Sequence, residues 1–303
     1  MAVCVGKSRR AQDELMSAAR VFLAMPGNEA MAVALARHVG CECQTIEIRR
    51  FPDSEAYVRI VGDVAQKRVD IVCTLTNPDH YFLALMFAAA TARELGAVGV
   101  HLIAPYLAYM RQDIRFKPGE AISSVQFARL LSQYFDSLTT VDPHLHRRRD
   151  LSEIFSIPIH VAHAAPLLAD WIASHVTAPL IIGPDGESEQ WAAAIAERAN
   201  APHVVLKKQR RGDRDVEISA PDLSGWRGLT PVLVDDLVSS GGTMIEAVRQ
   251  IRRQGLSKPY CVVVHPLFAE ASYTTLQSLA ADIVSTDAVP HPSNAISVAS
   301  LLI

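Results

Sequence analysis

Pro231-Val232-Leu233-Val234-Asp235-Asp236-Leu237-Val238-Ser239-Ser240-Gly241-Gly242-Thr243-Met244 is the stretch that decides the reading of this chain. An apolar strand ends in two adjacent carboxylates, and a turn of small, hydroxyl-bearing residues opens directly into a helix. Over residues 243–253 the apolar side chains Met244, Ala247, Val248 and Ile251 recur three and four apart, one buried stripe. Such a turn offers backbone N–H groups and hydroxyls to a phosphate, with the positive end of the helix behind it. The carboxylates repel a phosphate; they suit sugar hydroxyls or a divalent cation. The chemistry is that of a sugar-phosphate site. No Lys follows the glycines, as a Walker loop requires, and no G-x-G-x-x-G is present. The bland alternative is an ordinary strand–turn–helix connection. Two acids and a hydroxyl-rich turn at a strand's carboxyl end weigh against it, because ligands of open α/β sheets bind there.

Working outward, short apolar runs alternate with amphipathic stretches along all 303 residues, the pattern of parallel α/β architecture. Strands are expected at 21–24, 43–48, 69–73, 99–103, 137–141, 180–182, 203–206, 232–234, 260–264 and 282–284, with a half-exposed strand at 57–60. Helices are expected at 28–38, 80–95, 124–134, 165–175, 189–198, 243–253 and 269–280. The two halves look alike in outline. The change of half falls near 142–150, where Pro143 and the Arg147-Arg148-Arg149 run interrupt the pattern. The expected organisation is an N-terminal extension at 1–20 (with an appended helix over 11–21), a first domain at 21–150, a second at 151–290, and a tail at 291–303 packing back on the first.

Half the residues are apolar and a fifth are charged, as in a globular protein, and the net charge of −3 argues against broad nucleic-acid binding. Cysteines at 4, 41, 43, 73 and 261 form neither a disulfide framework nor a zinc spacing. Cys73 and Cys261 read as buried strand residues. The N-terminus lacks a signal-peptide pattern, and no apolar run is long enough to span a bilayer. A cytoplasmic protein with no membrane partner is expected.

Other strand ends also carry chemistry. Phe51-Pro52-Asp53-Ser54-Glu55 reads by itself as a β-turn. Arg111, Gln112 and Asp113 offer a guanidinium fork, an amide and a carboxylate after the strand ending near Ala104, a set suited to a nucleotide. His144 and His146, one residue apart after Asp142, would point to opposite sides in extended chain. Arg147–Arg149 reads as a solvated basic face. Asp185, after the strand at 180–182, is placed for Mg²⁺ beside a substrate phosphate. Residues 207–215, which include Lys208 and Arg210, form a basic stretch between strands, either an ordinary solvated loop or one that folds over a polyphosphate.

Together these motifs resemble the ribose-phosphate diphosphokinases (phosphoribosyl pyrophosphate synthetases), in register over about residues 21–303. The resemblance rests on "VDD…GGT" at 234–243, on Arg111-Gln112-Asp113 followed by Lys117-Pro118-Gly119-Glu120-Ala121-Ile122-Ser123, and on Asp142-Pro143-His144. Weaker matches are His265-Pro266-Leu267-Phe268 and residues 285–290. Ser54 replaces a family glycine, and Glu187, Ser188 and Trp191 depart from the pattern after Asp185.

The resemblance implies two similar phosphoribosyltransferase-type α/β domains, each a mainly parallel sheet flanked by helices. It implies transfer of the diphosphoryl group of ATP to ribose 5-phosphate. Asp235 and Asp236 would hold the ribose hydroxyls, and Ser239, Ser240, Gly241, Gly242 and Thr243 the 5-phosphate. Phe51, Asp53, Glu55, Arg111, Gln112 and Asp113 would bind ATP, with Mg²⁺ at His144 and Asp185 and catalysis by Lys208 and Arg210. A homo-oligomer, dimer or higher, is implied by a nucleotide pocket shared between subunits. Two alternatives stay open: a phosphoribosyltransferase that consumes the pyrophosphorylated sugar, and a non-catalytic regulatory homologue.

Overall fold

A computed structural model describes residues 18–145, 147–210, 216–219 and 221–303, with 207–210 and 216–219 described as backbone. These residues divide into two units. The first runs to Ala162 and includes Ala299–Ile303; the second is His163–Val298.

The first unit is built on β1 (Arg20–Ala24), β2 (Glu42–Arg50), β3 (Ala56–Val61), β4 (Arg68–Val72), β5 (Gly99–Ala104), β6 (Ser137–Val141) and β7 (Ile159–Ala162), in the order β3-β2-β1-β4-β5-β6-β7. All neighbours are parallel except β2 and β3, which form an antiparallel edge from Thr45↔Val61 to Arg50↔Ala56. Helices α1 (Glu29–Val39), α2 (Pro78–Glu94) and α3 (Ser123–Tyr134) complete it. Ala84, Leu85, Ala88, Ala89 and Ala92 of α2 and Phe127, Ala128 and Leu131 of α3 pack with Val21, Leu23, Val69, Ile71, Val100, Leu102 and Leu138 of the strands in one core. The alternation along each strand commits these residues to one face. Burying each larger side chain stabilises the unit by about 1.5–3 kcal/mol.

The second unit holds β8 (Pro179–Gly183), β9 (His203–Val205), β12 (Thr230–Val238), β13 (Tyr260–Pro266), β14 (Asp282–Thr286) and β15 (Asn294–Ile296), all parallel, in the order β15-β14-β13-β12-β8-β9. Its helices are α4 (Ala165–His175), α5 (Glu189–Arg198), α6 (Gly242–Arg253) and α7 (Glu270–Leu279). The stripe expected on α6 is observed: Met244, Ala247, Val248 and Ile251 are all buried against Leu233, Cys261 and Val263 of the sheet. A separate antiparallel ribbon consists of β10 (Lys207–Arg210) and β11 (Val216–Ser219).

Several elements differ from expectation. The strand expected at 232–234 continues through both carboxylates to Val238, since Asp235 pairs with Val263 and Leu237 with His265 on β13. The basic segment at 207–215 is not simply a loop, because Lys207–Arg210 is laddered to β11; residues 211–215 lie outside the described residues. Of the helix expected at 11–21, residues 11–17 lie outside the described residues, while Arg20 and Val21 belong to β1, paired with Arg68 and Val69. The short strands β7 and β15 went unrecognised, and pairing of β7 with β6 carries the first sheet to residue 162. Cys73 lies just beyond β4 rather than in it, with its N–H bonded to the Ile103 carbonyl at 2.9 Å. Burial pushes its thiol up to about 12. No helix among the described residues is long and apolar enough to cross a membrane.

Candidate active site

In the second unit the chain leaves β8 toward β9 on one side of the sheet and leaves β12 toward β13 on the other. The switch point between β8 and β12 opens a crevice at their carboxyl ends, the position where α/β sheets take ligands. Asp185 follows β8 there, and Asp235 through Thr243 follow on β12 and its turn.

The turn after β12 owes its shape to Gly241. This residue has φ +72° and precedes the first residue of α6. A Cβ added to it would lie 2.7 Å from Cβ of Ser272, on α7. The turn is tied to that helix by its backbone, the Ala269 N–H donating to the Ser239 carbonyl at 3.0 Å. Ser240 and Gly242 are exposed, Ser239 and Thr243 half-buried and Gly241 buried. The result is a turn tied to the neighbouring helix, at the N-terminus of a twelve-residue helix, where backbone amides favour an anion.

Two carboxylates act on a third at this end of β12. Asp235 is half-buried, and its Oδ1 accepts from the Asp236 N–H at 3.1 Å. Loss of hydration, then the negative charges of Asp236 and Asp185, hold the Asp235 carboxyl well above the usual carboxylate range. A cation or a set of hydroxyl donors is what such a group lacks. Among the described residues no three His, Cys, Asp or Glu side chains converge as a ready-made metal cage. Mg²⁺ seldom uses one; it binds one or two carboxylates together with substrate phosphates and water.

The turn carrying Asp185 accounts for one departure from the family pattern, Ser188. Asp185 caps a short 3₁₀ turn (Gly186–Ser188), its Oδ1 accepting from the Glu187 N–H at 3.1 Å, while Ser188 Oγ donates to the Asp185 carbonyl at 2.6 Å. Ser188 is buried and lies where a side chain on Gly183 would have to go. The family's glycine is thus replaced by a hydroxyl that closes the same turn.

In the first unit, Arg111, Gln112 and Asp113 follow β5. Gln112 Oε1 accepts from Ser123 Oγ at 2.5 Å, and its carbonyl accepts from the Ser124 N–H at 3.2 Å. Asp113 is buried and pairs with Arg147 at 2.9 Å. Arg148 donates to the Asp113 carbonyl at 3.2 Å and pairs with Glu153 at 3.5 Å. Arg147 and Arg149 are exposed, as expected of a solvated basic face, and Arg147 and the half-buried Arg148 also brace the 111–113 segment; Arg111 itself is exposed. His144 follows β6, two residues after Asp142, which is buried with φ +35°; His146 lies outside the described residues.

Phe51, Asp53 and Glu55 form the exposed tip between β2 and β3. The guanidinium of Arg49 lies 4.7 Å from the Phe51 ring and 4.0 Å from the Tyr57 ring, a cation–π stack the sequence reading missed. Ser54, in the family's glycine position, has φ +73°. The turn does require the left-handed conformation, and serine adopts it here at a cost. Also missed was Asn28, buried after β1, whose Oδ1 accepts from the Thr74 N–H at 2.7 Å. Lone Asn residues after a strand carry no signal by themselves.

The fold and the acid-plus-glycine turn define a protein of the phosphoribosyltransferase type, and residues 150–298 match the phosphoribosyl transferase domain model. Residues 20–134 match the model of the N-terminal domain of ribose phosphate pyrophosphokinase. The chain is 36% identical over 269 residues to the ribose-phosphate pyrophosphokinase of Methanopyrus kandleri, covering 88% of this chain and 91% of that one. It is 33% identical over 259 residues to the enzyme of the same name from Sulfurisphaera tokodaii, covering 84% and 87%. The crystal structure of phosphoribosylpyrophosphate synthetase from Mycobacterium smegmatis shares its fold, with a TM-score of 0.81 at 21% identity over 94% of this chain and 96% of that one. The chain belongs to the ribose-phosphate pyrophosphokinase family.

Proposed function

We propose that this chain is a ribose-phosphate diphosphokinase acting through the residues described above. The C1 hydroxyl oxygen of ribose 5-phosphate attacks the β-phosphorus of ATP. A new bond forms there, the bond from that phosphorus to the α–β bridging oxygen breaks, AMP leaves and the hydroxyl proton is released. The products are phosphoribosyl pyrophosphate and AMP.

Asp235 and Asp236 accept hydrogen bonds from the ribose hydroxyls. Ser239, Ser240, Gly241, Gly242 and Thr243 cradle the 5-phosphate, as backbone amides and hydroxyls at a helix N-terminus can. Arg111, Gln112 and Asp113 take ATP together with Phe51, Asp53 and Glu55 at the exposed β2–β3 tip, which suits a pocket completed by a second copy in a homo-oligomer. Lys208 and Arg210 meet the negative charge spread over the transferring group. The donor chemistry fits Mg²⁺ at Asp185, a carboxylate whose charge reaches Asp235; His144, in the first unit, is the other candidate for a metal ion or an ATP phosphate. When bound, Mg²⁺ would neutralise charge on the polyphosphate oxygens. Catalysis by the protein is otherwise positioning and charge. The location is the cytoplasm, with neither nucleic acid nor membrane as partner.

The observation that carries this reading is the switch-point crevice of the second unit, where Asp235, Asp236, left-handed Gly241 and the start of α6 come together on one strand and its turn. The test is a coupled assay for AMP formed from ATP and ribose 5-phosphate. Wild type should turn over, and Lys208→Ala should lose roughly 100-fold or more in kcat with little change in ribose 5-phosphate binding. A wild-type protein that releases no AMP under saturating Mg–ATP would overturn it.

A further inference from the structure

The segment that carries Arg111 begins with a residue in an unusual state. Tyr109 has φ +65°, a left-handed backbone that a bulky side chain rarely adopts. Surrounding contacts must hold it there, and two are visible. Its ring packs 4.8 Å from that of Phe127 on α3. Its hydroxyl donates to Oδ1 of Asp79, in the first turn of α2. That bond, followed by burial and the carboxylate's charge, pushes the phenol up, so it remains a donor at neutral pH.

The far end of the segment is fastened differently. Gln112 is bonded to Ser123 and Ser124, and Asp113 to Arg147 and Arg148. Arg111 therefore sits between a strained tyrosine on one side and a fixed amide and carboxylate on the other. Releasing Tyr109 would let its φ fall to an ordinary negative value. The chain would then be redirected two residues before Arg111, and the guanidinium would leave its set direction.

We propose that Tyr109 and Asp79 form a latch that positions Arg111 for the nucleotide. The proposal rests on the assignment of residues 111–113 to ATP. Neither latch residue touches the reacting atoms; both act through the backbone of the segment. The strained state persists because the ring contact and the hydroxyl bond over-determine it, as strained residues at functional sites require. Asp79 also favours the helix in whose first turn it sits, since a carboxylate complements that end of the dipole. The latch thus couples the start of α2 to the nucleotide segment.

Tyr109→Phe keeps the ring and removes the hydroxyl, so folding is preserved. It should raise the KM for Mg–ATP by about fivefold to tenfold, the scale of one typical hydrogen bond. The KM for ribose 5-phosphate and the melting temperature should stay near wild type, a split that a merely structural role would not give. Asp79→Asn retains an acceptor oxygen and should lie within about twofold of wild type on the same scale. In a double-mutant cycle, Asp79→Ala with Tyr109→Phe should be no worse than the more damaging single change. An unchanged KM for Mg–ATP in Tyr109→Phe, or fully additive effects in the cycle, would sink the latch. Amide hydrogen exchange separates this from the functional reading: residues 109–113 should exchange faster in Tyr109→Phe whether or not the wild type forms AMP. Equal exchange rates would reject the latch alone, and absent AMP would reject the proposed reaction alone.

Discussion

Gly241 and Ser54 adopt almost the same backbone angle, +72° and +73°, in two turns that differ in everything else. Gly241 is buried beneath α7, where a Cβ would approach Ser272 to 2.7 Å. Ser54 stands at the exposed tip between β2 and β3, its carbonyl bonded by Arg50 at 2.9 Å and its N–H bonded to the Phe51 carbonyl at 2.9 Å. At the first position two demands, conformation and space, coincide, so only glycine serves. At the second only conformation is demanded, and a small side chain is tolerated with some strain. Of these two left-handed turns, the one with solvent beyond it accepts a side chain and the one beneath a helix does not.

The largest effect expected from this comparison is at the buried turn. Gly241→Ala should lower stability by about 2 kcal/mol in a denaturant titration and reduce AMP formation on the order of 100-fold by displacing the cradle. A near-neutral result would mean that Ser272 yields, and the distinction between the turns would fail.

Asp235 extends the comparison to charge. Its folded carboxyl titrates above the unfolded value, so between those two values the folded state binds more protons than the unfolded state. Stability from this group is present at acid pH, below the unfolded pKa, and is lost as pH rises through the folded one. Asp235→Asn should flatten that decline, raising the melting temperature at neutral pH while weakening ribose 5-phosphate binding. Melting curves from pH 4 to 8 on both proteins would show it; parallel curves would remove the argument. The smallest effect belongs to the exposed tip. Ser54→Gly should gain about 0.5 kcal/mol, relief of the left-handed strain being partly offset by the freer unfolded chain, with AMP formation unchanged. A loss of stability there would show that the serine side chain contributes more than its strain removes.

Much of the parallel architecture was legible because periodicity is a short-range signal. The stripe Met244, Ala247, Val248, Ile251 marks α6 whatever its surroundings, and the apolar runs mark nearly every central strand. What eluded the sequence depends on partners distant in the chain. The strand through Asp235 extends to Val238 only because β13 lies beside it to pair with. The basic segment forms a ribbon because Lys208 meets Ile218 in the ladder. Arg147 braces Asp113 from 34 residues away. Among the candidate site residues, Asp185, Asp235 and Asp236 could be picked from strand ends alone, and the charges of Asp185 and Asp236 both reach Asp235. Arg49 could not, since a cation between two rings is invisible until β2 and β3 are paired.

The first sheet has a switch point too, between β1 and β4. Asn28 follows β1 there, and its amide oxygen already accepts from the backbone N–H of Thr74, a donor that an anion would otherwise seek. On the proposed reading the second unit's switch point receives the sugar, while a side chain already bonded to backbone stands at the first unit's. A duplicated scaffold need not mean a duplicated ligand.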